Sequence, residues 1–253
     1  MFDTADMFAW MLALFRATAL MLSMPVLSHT GFPRSARVGF AALLAWIVLP
    51  EAAHVAYPTH VLEFMLLVTK EVAIGVLLGF AVRMVFAVLD FAAQVIAVEI
   101  GLHPAPEFDS TANIAGNPLG AGLFYLGVVV FFSGAHYAVL LAFARSFELV
   151  PPGLQAPDLN FAAVVVRHSA HIVELGVLMA APFMAVNFLV NLTFSLLGRV
   201  VPRMNVFILS FSARILAGFS LLALSAGLFA HYIIQEFRAV PEVMLRFLPF
   251  TVR

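Results

Sequence analysis

Apolar residues run in long, nearly unbroken blocks along this chain, separated by short joints rich in Pro, Gly, Asn and Arg. The blocks are apolar all round rather than alternating, so they predict helices in an apolar medium and not the strands of a membrane barrel. The first, Met7 to about Leu27, is long enough to cross a bilayer core of about 30 Å, with Arg16 in its middle and Pro25 near its end. A polar joint, His29 to Arg37, leads to a run from Val38 to Leu49 that stops at Pro50 and is short for a full crossing. After a second joint, Glu51 to His60, a block from Val61 to Leu102 would extend roughly 60 Å as one helix, twice the bilayer core. It therefore folds back as a hairpin or leaves the membrane, with weak turn signals near Arg83 and Asp90.

The loop from His103 to Pro118 is the most irregular stretch of the sequence. Beyond it lie a block from Leu119 to Leu149, a Pro-rich joint from Pro151 to Asp158, and a long block from Phe161 to Leu197. The joint Gly198 to Asn205 precedes a last apolar run to about Ile234, and the tail from Gln235 to Arg253 is mixed. No repeat and no linker divides the chain, so residues 1–253 read as a single membrane domain. Arg34 and Arg37 place the first joint in the cytoplasm, and Arg199 and Arg203 claim the same side for the last one. Both hold only if one long block is a hairpin. The expectation is an all-α integral membrane protein with five to seven long hydrophobic helices and helical hairpins, some short or broken.

Composition strengthens that reading. Hydrophobic residues make up 63% of the chain and charged residues 11%, against about 45–50% and about 25% in soluble domains. Too few charges remain to cover a soluble surface. A net charge of −1 offers no basic footprint for nucleic acid. The absence of cysteine excludes disulfides, thiolate metal sites and cysteine nucleophiles. The acidic N-terminus, Met-Phe-Asp-Thr-Ala-Asp, is unlike a signal peptide, so the first apolar segment is expected to be retained.

Charges inside apolar helices cost about 2.5–3.5 kcal/mol each on insertion scales, so Arg16, Lys70, Glu71, Glu99 and Glu174 need partners. Lys70 and Glu71 are adjacent and point about 100° apart on a helix, so each is expected to pair with another helix. An ion or proton relay is the functional alternative to inter-helix or inter-subunit pairing. Gly75 and Gly79 form a small-xxx-small pair suited to close helix packing. Asn187, Asn191, Ser195 and Arg199 make a polar stripe that hydrogen-bonds to neighbours, or lines a conducting path. His168, His171 and Glu174 are spaced by three, which spreads the outer two by about 120° and makes a poor metal site. Ser133-Gly134-Ala135-His136 has neither a base held against the serine nor an oxyanion hole. No phosphate loop, dinucleotide fingerprint or zincin motif is present, and no cofactor is implied, so the chain reads as a non-enzyme.

Several stretches resemble the FliR family, flagellar biosynthetic proteins of the type III export gate, and its virulence-system relative SctT. They are "GFPRSARVGFAALLAWIVLP" after Arg16, "KEVAIGVLLGFAVRMVFAVLDFAAQVIAVEIGL", "FFSGAHYAVLLAFARSFELVPPG" and, most specifically, "GRVVPRMNVFILSF" with Arg199, Pro202, Asn205, Val206 and Phe207. Departures are Ser110 after Asp109, Ala93 before Gln94, and Ser212-Ala213-Arg214 where the family has Pro-Leu-Lys.

The resemblance implies a structural subunit that forms, with FliP and FliQ, the channel exporting unfolded flagellar proteins across the bacterial inner membrane, in the flagellar basal body. It also implies neighbours of the FlhB and FlhA type, and partners in other subunits for the orphan charges. The central loop falls where FliR-like proteins carry a plug, here Glu107, Phe108, Asp109, Ser110, Thr111, Asn113, Ile114, Gly116 and Asn117. Arg16, Lys70, Glu71, Glu99, Glu174, Asn187, Asn191, Arg199, Arg203 and Asn205 are then inter-subunit or inter-helix contacts. The alternatives are an SctT-type virulence subunit and, from a different class, a secondary transporter, which should carry internal repeats.

Overall fold

The computed structural model describes residues 4–28, 33–49, 58, 60–102, 117–152 and 161–248. Among these the chain is helical, without strands: α1 (Thr4–Ser23), α2 (Pro25–Ser28), α3 (Arg34–Ile47), α4 (Val61–Ile100), α5 (Pro118–Val130), a π-helical turn (Phe131–Ala135), α6 (His136–Leu149), α7 (Phe161–Val200) and α8 (Val206–Arg246). Five helical stretches are long and apolar enough to cross a membrane, with α5 and α6 counted together. The protein is an all-helical integral membrane protein.

Helix ends follow local chemistry. Ser23 turns its hydroxyl back onto the carbonyls of Ala19 and Leu20, and Pro25 then starts the short α2. α4 ends at Gly101, whose φ of 84° is left-handed and natural only to glycine. There Leu102 N–H donates to Ala97 O at 2.8 Å and Gly101 N–H to Val98 O at 3.1 Å, closing the helix end. Asn117 caps α5 by accepting from Leu119 N–H at 3.1 Å, with Pro118 in the first turn. Asn205 caps α8 by accepting from Ile208 N–H at 3.3 Å.

The structure narrows the expected course of the chain. Of the two courses open to the block from Val61, the fold-back is ruled out: α4 is one helix of 40 residues. It holds no Pro, and Asp90 is satisfied within it by Gln94 one turn on, at 2.9 Å. The break falls instead in the next block, at Gly134 (φ 167°, ψ −25°), where helical geometry is lost. Arg34 and Arg37 lie in α3 rather than in a joint. The mixed tail is helical to Arg246, with Pro241 accommodated and Glu242 and Arg246 paired one turn apart at 2.5 Å.

The contacts group into two compact units. The first comprises residues 1–85, 131–169 and 236–253; the second comprises 86–130 and 170–235. In the first unit Leu12, Leu20, Ile74, Leu78, Phe143, Phe147, Phe237 and Phe247 are buried. It also holds an apolar cavity of about 200 Å³ lined by residues including Leu20, Met24, Leu44, Phe131 and Val139. In the second unit Phe183 stacks on Phe229 with ring centroids 6.1 Å apart.

Candidate functional site: a buried and a half-buried polar centre

In the first unit α1 lies directly against α4. A Cβ on Gly75 would collide with the Arg16 carbonyl and stand 2.7 Å from Ala19 Cβ; one on Gly79 would collide with Ser23 Oγ and stand 2.7 Å from Leu20 O. At both positions the backbone of α1 comes too close for a side chain on α4. That approach brings Arg16 onto Glu71, one turn from Gly75. Both side chains are fully buried, and Arg16 Nε donates to Glu71 Oε2 at 2.6 Å.

The rest of the guanidinium is used on the end of α6. Nη1 donates to Ser146 O (3.0 Å) and Ser146 Oγ (3.1 Å), and Nη2 to Val150 O (2.9 Å). The Phe147 ring lies 3.9 Å from the guanidinium carbon, adding a cation–π contact. Arg16 thus ties three helices with one planar fork of donors; the Ser146 carbonyl, which also accepts Val150 N–H at 3.0 Å, and the Val150 carbonyl beyond the helix end take two of them. Lys70, next to Glu71, reaches Pro151 O at 3.1 Å. Glu71 thus meets α1, while Lys70 meets the joint after α6 rather than another helix.

The second unit holds a smaller polar centre. Asn187 Nδ2 donates to Glu99 Oε2 at 2.5 Å, and Asn191 Nδ2 to Asn187 Oδ1 at 3.1 Å. The first two members of the stripe therefore form a relay onto Glu99, while Ser195 and Arg199 are exposed. Asn117 Nδ2 donates to Ala93 O at 2.9 Å, tying the start of α5 to α4.

Of the two readings, inter-subunit or inter-helix contact, the contacts described for Arg16, Lys70, Glu71 and Glu99 are within this chain. Their partners lie in this chain, brought together by pairings 55 to 134 residues apart, which sequence spacing does not reveal. Glu174 is exposed and sits 3.7 Å from His171 one turn away. Arg199 closes α7 and Arg203 lies in the turn before α8; both are exposed. Of the plug residues, Asn117 is the α5 cap; Glu107, Phe108, Asp109, Ser110, Thr111, Asn113, Ile114 and Gly116 lie outside the described residues. Sequence reasoning missed Ser146, Val150 and Phe147: a carbonyl acceptor carries no side-chain signature, and the Phe147 ring reads as ordinary apolar packing.

The profile of the bacterial export proteins, family 1, matches residues 7–240. Among similar proteins, the flagellar biosynthetic protein FliR of Escherichia coli is 24% identical over 220 residues, covering 87% of this chain and 84% of its own. FliR of Caulobacter vibrioides is 26% identical over 231 residues, covering 90% and 92%. FliR of Bacillus subtilis is 27% identical over 225 residues, covering 86% of each chain. With a family match over almost its whole length, the chain belongs to family 1 of the bacterial export proteins.

Proposed function

We propose that this chain is a FliR-type structural subunit of a flagellar type III export gate in the bacterial inner membrane. In this reading it forms, with FliP and FliQ homologues, the channel through which unfolded flagellar proteins leave the cytoplasm, beside components of the FlhA and FlhB type. The observation that carries the reading is a mismatch of length. α4, α7 and α8 have 40, 40 and 41 residues, about 60 Å each, against a bilayer core of about 30 Å. Only 11% of the most apolar stretch of α8 is buried within the chain. Lipid covers half of such a helix; the remaining apolar length needs protein partners. The FliR relatives support the flagellar system over the virulence one.

The polar centres fit a scaffold rather than a catalyst. Arg16, Lys70, Glu71 and Glu99 each meet a fixed acceptor or donor, which holds helices in register. Residues 107–117 are assigned the plug role, with Phe108 as a bulky aromatic between Glu107 and Asp109. Deleting the gene and scoring flagellar proteins in the medium tests the main reading: secretion should stop and return on complementation. Unchanged secretion in the deletion strain overturns it. Deleting residues 108–114 should leave secretion and assembly intact while making the membrane leak small ions, and a tight membrane overturns the plug role.

A further inference from the structure

We infer that Arg214 of α8 is the counter-ion of Glu99, joined to it across a single water site. Glu99, Asn187 and Arg214 line one small cavity of about 10 Å³, together with Ile100, Phe183 and Gly218. That volume is close to the minimum that holds one water molecule, which needs two to four polar partners. Arg214 Nε is buried and has no hydrogen-bond partner among the described residues. Glu99 spends one carboxylate oxygen on Asn187 Nδ2, whose own Oδ1 is taken by Asn191. A water there accepts from Arg214 Nε–H and donates to the Glu99 carboxylate.

Position supplies the second argument. Glu99 is in the last turn of α4, one residue before the helix ends at Ile100. A carboxylate is disfavoured at that end, where free carbonyls already concentrate negative charge, and a cation is favoured. Arg214 offsets both at once. Gly218, one turn on from Arg214, permits the approach: a Cβ there would stand 2.8 Å from Ile100 Cγ2. Ionisable groups within membrane segments pair with one another, and this pair ties α8 to the closing turn of α4. Arg214 is thereby a positioning residue for the helix end from which residues 103–116 depart.

Amide exchange at Leu102, whose N–H closes α4, reads the pair directly in the full chain held in lipid nanodiscs. Arg214→Met keeps the bulk and removes the charge; exchange at Leu102 should rise roughly tenfold or more, the loss of a charge-assisted hydrogen bond. Adding Glu99→Gln should return it to near the parent rate, because no unmatched carboxylate remains. Arg214→Lys should restore less than half of the protection, as an ammonium copies the guanidinium fork poorly. If Arg214→Met leaves exchange unchanged, or Glu99→Gln fails to rescue it, the pairing is overturned.

Discussion

Removing Glu71 isolates the contribution of the Arg16 centre. In Glu71→Ala the guanidinium keeps Ser146 O, Ser146 Oγ, Val150 O and the Phe147 ring, all neutral, and loses its one anion at 2.6 Å. Arg16 is fully buried, so water cannot take the place of the carboxylate without opening the α1–α4 contact. Breaking a buried pair from one side costs about 3–5 kcal/mol, which is roughly two to three and a half powers of ten in the folding equilibrium. The double change Arg16→Met with Glu71→Leu removes both charges and puts apolar groups of similar volume in their place. It should lie within about 1 kcal/mol of the parent or above it. SDS titration of the chain in mixed micelles, followed by tryptophan fluorescence of Trp10 and Trp46, measures all three proteins. A single change costing under about 1 kcal/mol, or a double change no better than the single, would refute the assignment of Arg16 and Glu71 as one electrostatic unit.

The other expectations test packing and helix ends. Gly75→Leu should separate α1 from α4 and abolish the Arg16–Glu71 contact, seen as loss of a disulfide trapped between engineered cysteines on the two helices. Gly101→Val should destabilise the end of α4 by about 1–2 kcal/mol, because a β-branched residue resists φ near +84°, and exchange at Leu102 reports it. Asn205→Ala should cost about 1 kcal/mol through loss of the α8 cap, measured by the same titration. Val139→Leu should raise the unfolding midpoint by filling part of the 200 Å³ cavity, a gain of about 0.5–2 kcal/mol if the methyl group fits.

The fold was most legible where a residue acts alone. Pro25, the Asn117-Pro118 pair and Asn205 mark helix boundaries through chemistry that needs no partner, and Gly75 and Gly79 announce close packing. The choice between a fold-back and one overlong helix for α4 was hidden because a helix apolar on every face has no stripe to follow. The extension of α8 through its mixed tail was hidden too. There polar residues pair one turn apart, as Glu242 and Arg246 do, which resembles a solvated joint in composition. Sequence showed that Arg16, Glu71 and Glu99 needed partners and singled out Asn187, yet it could not match donor to acceptor, because the partners lie where distant helices meet, and Ser146 and Val150 went unnoticed.

The proposed function makes this chain one subunit of a hetero-oligomeric export gate, its apolar length covered by other proteins. Native mass spectrometry of the particle purified through an affinity tag on this chain measures that directly. The account predicts a discrete assembly containing this 27.5 kDa chain together with FliP and FliQ homologues, and little of the chain alone. A stable particle made only of this chain, in cells that express those homologues, would contradict it.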